Sequence, residues 1–403
     1  IIDSEISHNN FILDGYHHDI RGGGIYIDGG EINAANITVA YNDYQGLYRD
    51  DGTFNVTSGL IWANNNNDSG SINYTYTNRQ GSPPGGEGNI SKDPWFVNSS
   101  DLQLLPGSVC INRGDPNESD EDGTRRDMGG YIYEDTYQGS VWHVSSEGNQ
   151  LEGNGSSSNP LSSILAAINL ANEGDEIIVS PGTYTGQGNY NIYFLGKSVN
   201  LHSSGDAEAT IIDCQNTDGR RGLIFEPHGG YLGETENTVI EGLTISNGYF
   251  SNGTDGAGIY ISSASPVFNN CVITGRKVYH YTNEAHSAGG GVYANNSNAA
   301  FNNCVISNNT VETRVNHSSH DSYSYGGGIY IVGSSNVTLT GCTITNNMSR
   351  AYDQDSNGGS VGYLKGSGLY SSVSGTTTII DSEISHNNFI LDGYHHDIRG
   401  GGI

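Results

Sequence analysis

The chain has 403 residues and a formal charge of −28, from 16 basic and 44 acidic side chains. No basic stripe offsets the acidic residues, so nucleic acid is excluded as an expected partner. No apolar run approaches the roughly 20 residues that cross a bilayer, and we expect no membrane insertion. Gly is abundant at 58 residues while Leu, Lys and Met are scarce. This composition favours short strands and tight turns over helices.

The first segment of the chain returns at its end. Residues 1–25, IIDSEISHNNFILDGYHHDIRGGGI, recur without change at 379–403, an offset of 379 − 1 = 378. Identity over this length does not arise by chance, so it indicates a tandem array with this period or a periodic object slightly longer than one unit. The chain starts with neither Met nor a signal-peptide pattern, and we expect the natural termini to lie outside it.

A shorter repeat begins at each glycine cluster and contains two or three short strands with alternating apolar residues. Copies recur every 24 to 40 residues: GGGIYIDGGEINAANITVAYN (22–42), a degenerate GLYRDDGTFNVTSGLIWANN (46–65), GAGIYISSASPVFNNCVITG (256–275), GGGVYANNSNAAFNNCVISNN (289–309), GGGIYIVGSSNVTLTGCTITNN (326–347) and GSGLYSSVSGTTTIIDSEISHNN (366–388). Strands this short bury a face only when stacked, about 4.8 Å apart. Each copy therefore predicts one coil of a β-solenoid.

Alternation within each coil predicts two inward columns. They are Leu243, Cys271, Cys304, Cys342, Ser382 and Ile37, and Ile245, Ile273, Ile306, Ile344, Ile384 and Val39. The column cysteines are expected as small apolar fillers rather than disulfides, and Cys110 and Cys214 have no evident partner. The pairs Asn308-Asn309, Asn346-Asn347 and Asn387-Asn388 follow at one corner, where Asn tolerates left-handed geometry and stacks its amide in a ladder.

An acidic segment separates two groups of coils. It contains alternating carboxylates and amides around Gly123, a set of hard oxygen donors that could bind one Ca²⁺, and the candidate ligands are Asp115, Asn117, Asp120, Asp122 and Asp127. The spacing is not that of an EF-hand, and a solvated acidic linker is the alternative.

A short amphipathic helix is predicted after this segment. NPLSSILAAINLANEGD (159–175) spaces its apolar residues for one helical face after a proline. We place the helix near 160–172, where it would cover the open end of the solenoid and its exposed backbone edges.

The stretch GNGSSSNPLSSILAAINLANEGDEIIVSPGTYTG resembles the opening of secreted right-handed parallel β-helix repeat proteins of the pectate-lyase-like superfold. The closing segment of these proteins is similar to residues 72–116, INYTYTNRQGSPPGGEGNISKDPWFVNSSDLQLLPGSVCINRGDP. Their acidic tail is similar to residues 120–133, DEDGTRRDMGGYIY. The resemblance implies an all-β, right-handed parallel β-helix and an extracellular or cell-surface location. It also implies three parts of the chain. Residues 1–113 would form the C-terminal coils and end cap of one repeat, residues 114–140 an acidic linker, and residues 141–403 the N-terminal cap helix and coils of the next repeat.

Two surface features remain. A tyrosine occupies the same outward place in six coils, as Tyr26, Tyr48, Tyr260, Tyr293, Tyr330 and Tyr370. This stripe suits lateral assembly, sugar stacking, or cross-strand stacking alone. Insertions at 275–288, 310–325, 348–365 and 389–399 are expected to project from one side. Their histidines are candidate transition-metal ligands or, more simply, solvated loop residues: His280, His286, His317, His320, His395 and His396.

Glycosylation sequons are numerous, as the Asn, Ser and Thr content alone would produce. The candidate acceptors are Asn36, Asn55, Asn67, Asn73, Asn89, Asn98, Asn117, Asn154, Asn252, Asn295, Asn308, Asn316, Asn336 and Asn347.

These patterns favour an extracellular structural protein, a filament, fibre or adhesin whose repeats assemble with one another head to tail and laterally. The alternative is a carbohydrate-binding module or a polysaccharide lyase or hydrolase, because the resembled superfold includes such proteins. Neither the acid and Arg or Lys set of a lyase nor the paired Asp of a hydrolase stands out in the sequence.

Overall fold

The computed structural model describes residues 1–10, 21–227, 232–251, 255–282, 285–315, 321–352, 361–392 and 396–403. It contains two compact units. Unit 1 comprises Ile1–Gln138 and Asn149–Asn154, and unit 2 comprises Gly139–Gly148, Gly155–Pro227 and Tyr231–Ile403. Within the described ranges, no helix is both long and apolar enough to cross a bilayer.

Unit 1 consists mainly of parallel strands. Its strands are β1 (Ile2–Ser7), β2 (Ile25–Ala40), β3 (Gln45–Thr57), β4 (Leu60–Trp62), β5 (Asn66–Ser69), β6 (Asn73–Thr75), β7 (Asn78–Arg79), β8 (Phe96–Asn98) and β9 (Asp101–Leu104). Strands β1 to β7 form one sheet, and β8 pairs with β9 in an antiparallel ribbon. The core of the sheet includes Ile37, Val39, Leu47, Phe54 and Val56.

The segment predicted as an acidic linker lies against the coils of unit 1. The Gly129 amide donates to the carbonyl of Ser58 at 2.9 Å, and the Gly130 amide donates to Thr38 Oγ1 at 3.0 Å. The Asp115 amide donates to Ser58 Oγ at 2.8 Å. These bonds satisfy backbone amide groups of the acidic segment. The prediction that this segment also links two repeats is not tested by these contacts and stays a prediction.

The described residues of unit 2 include one short helix, in the predicted place. Helix α1 spans Ile164–Leu170, all of whose residues are buried, and Ser163 caps it by accepting from the Ala166 amide. At the other end, Lys197 Nζ donates to the carbonyls of Ile168 and Ala171 at 3.0 and 2.7 Å. A cation there is favourable because the last carbonyls of a helix are unpaired and carry partial negative charge.

The strands of unit 2 are short. They are β10 (Val141–Asn149), β11 (Glu176–Val179), β12 (Gly182–Tyr184), β13 (Ile192–Tyr193), β14 (Asn200–Ser203), β15 (Thr210–Asp213), β16 (Leu223–Phe225), β17 (Val239–Glu241), β18 (Thr244–Ser246), β19 (Tyr249–Ser251), β20 (Ile259–Ser262), β21 (Val267–Asn269), β22 (Val272–Thr274), β23 (Lys277–Thr282), β24 (Ala285–Ala288), β25 (Val292–Asn295), β26 (Ala300–Asn302), β27 (Val305–Ser307), β28 (Thr310–Val315), β29 (Ser322–Tyr325), β30 (Ile329–Gly333), β31 (Asn336–Thr340), β32 (Thr343–Thr345), β33 (Met348–Tyr352), β34 (Gly362–Lys365), β35 (Leu369–Val373), β36 (Thr376–Ile380), β37 (Glu383–Ser385), β38 (Asn388–Asp392) and β39 (His396–Arg399).

These strands form five parallel sheets, because each coil adds one strand to several sheets in turn. Sheet 1 is β10-β11-β14-β17-β21-β26-β31-β36, sheet 2 is β12-β15-β18-β22-β27-β32-β37, sheet 3 is β13-β16-β20-β25-β30-β35, sheet 4 is β19-β23-β28-β33-β38 and sheet 5 is β24-β29-β34-β39. The all-β, right-handed parallel β-helix predicted from the sequence, with its short helix, is confirmed.

The interior of unit 2 contains columns of identical residues. In sheet 2, Ile273 pairs with Ile306, which pairs in turn with Ile344, and all three side chains are completely buried. The column cysteines Cys271 and Cys304 are buried beside them, and every cysteine of the chain, including Cys110 and Cys214, is a free buried thiol. Burial raises the pKa of the Cys110 thiol to about 12.

A ladder of asparagine amides runs along one corner. Asn309 Nδ2 donates to Asn347 Oδ1 at 3.0 Å, and Asn347 Nδ2 donates to Asn387 Oδ1 at 3.0 Å. The residue before each ladder asparagine has left-handed geometry, with φ of +57° at Asn308, +56° at Asn346 and +56° at His386. The third rung is therefore His386-Asn387; the predicted pairing of Asn387 with Asn388 was displaced by one residue.

The insertions were predicted to project from one side. Their described residues instead form sheets 4 and 5, two layers that continue the solenoid on one side. Small polar side chains fill the space between the layers: Thr313 Oγ1 and Ser324 Oγ lie 2.6 Å apart and both residues are completely buried.

Candidate functional site

Sheet 3 carries a ladder of stacked tyrosines on its outer face. Tyr260 pairs with Tyr293, and Tyr330 with Tyr370, at the same register position on successive strands. Their ring centroids are 5.2, 5.6 and 5.5 Å apart in order along the ladder. The inward neighbour Ile259 is completely buried while Tyr260 is partly exposed.

Sheet 5 adds tyrosines that the sequence analysis did not single out. Tyr323 stacks on Tyr363 at 4.9 Å, and Tyr325 lies 5.1 Å from Tyr370 of the ladder. Lys365 Nζ lies 5.0 Å from the centre of the Tyr325 ring, close enough for a cation–π interaction. The alternation in Ser-Tyr-Ser-Tyr over 322–325 is the signal that could have predicted this second column.

The stacking of the rings determines which part of each tyrosine a ligand could contact. Each interior ring has its faces against neighbouring rings, and the guanidinium of Arg221 lies 4.7 Å from the centre of the terminal Tyr260 ring. The interior rings therefore have no ring face open to a ligand, and Tyr330 is only 9% exposed, whereas sugar stacking uses a ring face. Burial raises the pKa of Tyr330 to about 12, so its hydroxyl is a neutral donor and acceptor.

Unit 1 has a two-member version of this ladder. Tyr26 and Tyr48 stack at 5.3 Å, and the Tyr26 side chain is 42% exposed. Its hydroxyl donates to Asp50 Oδ2 at 3.0 Å, and Arg21 Nη1 lies 3.0 Å from the same oxygen. The six predicted stripe residues thus lie in two ladders, four in unit 2 and two in unit 1, and their role in assembly or sugar binding stays a prediction.

The candidate calcium ligands are engaged in hydrogen bonds within unit 1. Asp115 Oδ1 accepts from the amide and Nδ2 of Asn117, both at 2.9 Å. Asp122 Oδ1 accepts from the Thr124 hydroxyl at 2.7 Å. Arg126 Nη1 lies 3.0 Å from Asp120 Oδ1.

Asp127 is the most buried of the five, at 1% exposure. Its oxygens accept from the amides of Asn112 and Tyr133 at 2.7 Å each, and burial raises its pKa to about 8. No group of three or more His, Cys, Asp or Glu side chains in the described ranges is placed to hold a metal ion. Calcium binding here stays a prediction that rests on the donor pattern.

Some of the histidines in the insertions lie within the described residues, and others lie outside them. His280 Nδ1 accepts from the amide of His286 at 3.1 Å, and burial lowers the pKa of His286, which favours a neutral ring. His317, His320 and His395 lie outside the described residues, as do the sequon residues Asn252 and Asn316.

A polar groove of about 720 Å³ runs between sheets 1 and 2 of unit 2, and its lining includes His202, Asp206, Glu208, Glu241 and Asn270. His202 Nε2 lies 2.7 Å from Glu176 Oε1, and Asn270 Nδ2 donates to Glu241 Oε1 at 3.3 Å. Carboxylates and amides of this kind can hydrogen-bond sugar hydroxyls.

Two arginines of unit 2, Arg276 and Arg221, do not line this groove. Arg276 is 1% exposed, inside the solenoid, with Nη1 3.5 Å from Cys214 Sγ. Arg221 is 9% exposed and contacts the rings of Phe250 and Tyr260. Both guanidinium groups pack within the protein.

The sequons differ in accessibility. Asn347 is completely buried in the asparagine ladder, and Asn36 and Asn89 are 6% and 4% exposed. The exposed acceptors are Asn73, Asn98, Asn117, Asn308 and Asn336, and the partly exposed ones are Asn55, Asn67, Asn154 and Asn295. A glycan fits the second and third groups better than the first.

Comparison with known proteins identifies a family. No curated protein matches the chain significantly. Two solved structures are similar to it. One is the pectate lyase Pel9A, at 16% identity over 62% of this chain and 78% of the other, with a TM-score of 0.28. The other is the GH136 lacto-N-biosidase from Eubacterium ramulus, at 8% identity over 64% and 68%, with a TM-score of 0.23.

Neither likeness is close enough to carry an argument about activity. The family model for the right-handed beta helix region matches residues 162–403, more than half of the chain. The sheets of unit 2 have the parallel, coil-by-coil order that such a protein requires. The chain therefore belongs to the right-handed beta helix region family.

Proposed function

We propose that the chain is a repeat of an extracellular structural filament or surface adhesin. The observation that carries the proposal is the exact recurrence of residues 1–25 at 379–403, because tandem copies extend reach and multiply weak contacts. One copy contributes the edge strand β1 to unit 1, and the other contributes the last strands of four sheets in unit 2. Repeats joined through this segment would make a long array.

Electron microscopy of the secreted protein, with and without a calcium chelator, tests this proposal. We expect elongated assemblies with a constant axial repeat, and their loss on chelation would support calcium binding at 115–127. Single particles under all conditions would contradict the filament.

A second candidate is polysaccharide binding or cleavage, favoured by the polar groove between sheets 1 and 2. Its test is polysaccharide co-sedimentation and product analysis with the wild type and Glu241→Gln, because Glu241 lines the groove. The exposed Glu236→Gln outside the groove is the matched control. Binding or cleavage lost only in the first variant would favour this candidate.

A further inference from the structure

We propose that the polar groove between sheets 1 and 2 binds a polymer of amino sugars, whose protonated amines pair with carboxylates of the groove. The inference rests on the second candidate function, polysaccharide binding, and specifies the charge of the saccharide. The residues that line the groove lie between Asn200 and Val305, in the middle coils of unit 2.

One long connection between two strands creates the groove. Strand β14 ends at Ser203 and β15 begins at Thr210, so six residues join them, 210 − 203 − 1 = 6. In the next three coils the same connection takes two residues each, at 242–243, 270–271 and 303–304. The connection 204–209 therefore forms a wall of the groove, and the lining at the corner of the following coils consists of Gly242, Asn270 and Asn303.

Hydrogen bonds fix the wall 204–209 in place. Thr244 Oγ1 donates to the Ala207 carbonyl at 2.6 Å, which ties the wall to the next coil. Asp206 Oδ1 accepts from the Ala209 amide at 2.9 Å. The wall is therefore ordered before a ligand binds, and a preformed site loses little conformational entropy on binding.

The floor of the groove runs across the strands, from one coil to the next. Gly242, Asn270 and Asn303 all have left-handed geometry, with φ of +65°, +53° and +52°. Neighbouring strands are about 4.8 Å apart, so the floor is about 10 Å long. The side chains of Asn270 and Asn303 are exposed, and their amides can hydrogen-bond hydroxyl groups. A linear saccharide lying across the strands would meet an amide at successive coils.

The charged side chains of the groove select the ligand. Asp206, Glu208 and Glu241 line the groove and are exposed. Within the described ranges, no Lys or Arg lines it, and His202 Nε2 lies 2.7 Å from Glu176 Oε1. An acidic groove on a chain of formal charge −28 repels a uronate polymer and attracts a cationic one.

The carboxylates belong to different parts of the groove. Asp206 and Glu208 lie in the wall, whereas Glu241 ends strand β17. In the part of the chain that the structure describes, no three His, Cys, Asp or Glu side chains are placed to hold one metal ion. Separate carboxylates suit a ligand that carries a positive charge on each unit, as a polymer of glucosamine does.

The amides of the groove favour a saccharide over a basic peptide. Asn200, Asn270 and Asn303 can bond the hydroxyls that every sugar ring carries, whereas a lysine side chain offers only its ammonium group. Glu241 and Asn270 already have the geometry of such a contact, since Asn270 Nδ2 donates to Glu241 Oε1 at 3.3 Å. An amino sugar would use both the carboxylates and the amides.

Isothermal titration calorimetry of the full chain tests the proposal with hexamers of β-1,4-linked glucosamine, N-acetylglucosamine and galacturonate. The titrations contain EDTA and are made at about pH 5.5, where the sugar amine is protonated. We expect the glucosamine hexamer to bind at least tenfold more tightly than either of the others, and added salt to weaken it. An acetylated hexamer that binds as tightly as the amine would overturn the proposal.

Two substitutions test the carboxylates one at a time. Glu208→Gln and Glu241→Gln each remove a charge and keep the side chain polar. Each should weaken binding of the glucosamine hexamer about two- to fivefold, the effect of one exposed charge pair. The matched control is Glu236→Gln, an exposed residue outside the lining of the groove, which should leave binding unchanged. Equal weakening in all three variants would assign the effect to the net charge of the chain and overturn the proposal.

A reversal of charge supplies a test that a merely structural role would not pass. The double variant Glu208→Lys, Glu241→Lys should bind the galacturonate hexamer more tightly than the glucosamine hexamer. A double variant that is folded by circular dichroism and keeps the preference of the wild type would overturn the proposal.

The inference and the function on which it rests can fail separately. Equal binding of the three hexamers would overturn the amine preference and leave polysaccharide binding standing. A lysine hexamer that binds more tightly than the glucosamine hexamer would overturn the proposal in favour of a basic peptide. Galacturonate that binds the wild type only with Ca²⁺ would overturn it in favour of a metal-bridged ligand. No binding of any saccharide would overturn both.

Discussion

The coils of unit 2 and the acidic segment of unit 1 bury polar groups in different ways. In unit 2, one solution is repeated: Asn309 and Asn347 are completely buried and each bonds the next rung. In the acidic segment, Asp127 and Asp120 are buried by contacts that occur once, to Asn112, Tyr133 and Arg126. A neutral amide ladder tolerates any pH, whereas a buried carboxylate makes local stability depend on protonation.

Among single substitutions, the largest expected loss of stability comes from removing one rung of the asparagine ladder. Asn347→Ala leaves the Asn309 amide and Asn387 Oδ1 without their buried partner, and each such loss costs about 1–3 kcal/mol. We expect the free energy of unfolding of unit 2 to fall by about 3–5 kcal/mol. Denaturant unfolding monitored at Trp142, the tryptophan of unit 2, in a background with Trp62→Phe and Trp95→Phe measures this change.

The control is Asn336→Ala, because Asn336 donates to Asn298 Oδ1 at 3.0 Å on the exposed surface. Its loss should cost less than about 1 kcal/mol since water replaces the bond. Equal costs in the two variants would show that the buried ladder is not what holds the coils in register.

A substitution in the isoleucine column should cause the next largest loss of stability. Ile306→Ala removes a completely buried side chain and should cost about 2–5 kcal/mol, through lost burial and the cavity left behind. Its outward neighbour Val305 is partly exposed, and Val305→Ala should cost less than half as much. A similar loss from both would contradict the inward and outward assignment of sheet 2.

The stability of the acidic segment should depend on pH instead. The pKa of Asp127 is about 8 in the folded protein and about 3.9 when unfolded. The folded state therefore binds the proton more tightly, and the resulting stability is fully present below about pH 4 and lost as pH rises through about 8. The unfolding free energy of unit 1 should fall by up to about 1.4 kcal/mol per pH unit in this window.

Trp142→Phe leaves Trp62 and Trp95 as fluorescent reporters of unit 1, so denaturant unfolding from pH 4 to 8 measures the slope. In that background, Asp127→Ala should flatten the profile while the exposed Asp43→Asn leaves it steep. A slope unchanged by Asp127→Ala would assign the pH dependence to other groups.

The smallest effect is expected in the tyrosine ladders. Tyr330→Leu keeps an apolar side chain but removes ring contacts with Tyr293, Tyr325 and Tyr370, each worth about 0.5–1.5 kcal/mol. Tyr26→Leu removes a single stack on the exposed face of unit 1, so it should cost about a third as much. Calorimetric melting would compare them, and equal losses would indicate that the rings act singly.

The features of the fold that depend on alternating apolar residues could be predicted from the sequence. The isoleucine column, the short helix and the coil boundaries all follow from the spacing of residues such as Ile306 and Ile344. Sheets 4 and 5 were missed because their interior contains Thr313, Ser324 and other small polar side chains, which give no apolar period. The ladder was displaced by one at Asn387 because His386 takes the left-handed position that asparagine takes in the preceding coils.

The candidate sites were less predictable than the fold. Equivalent tyrosines identified the sheet 3 ladder, but nothing in one coil reveals that rings of successive coils stack face to face. The contribution of Tyr325 depends on its lying 5.1 Å from Tyr370, in a different sheet. Likewise, the five acidic-segment residues are close in sequence, yet their partners Asn112, Tyr133 and Arg126 decide how each oxygen is used.

The parallel order of the sheets has a mechanical consequence. Strands in unit 2 lie across the stacking direction, so a pull along that direction would load the hydrogen bonds of one coil at a time, as in a zipper. Phe268 and Phe301 are register partners 301 − 268 = 33 residues apart, and Leu339 and Ile379 are 379 − 339 = 40 apart. At roughly 3.3–3.6 Å per extended residue, each released coil would lengthen the chain by about 110–140 Å. Under load such a protein would lengthen in successive steps of one coil each.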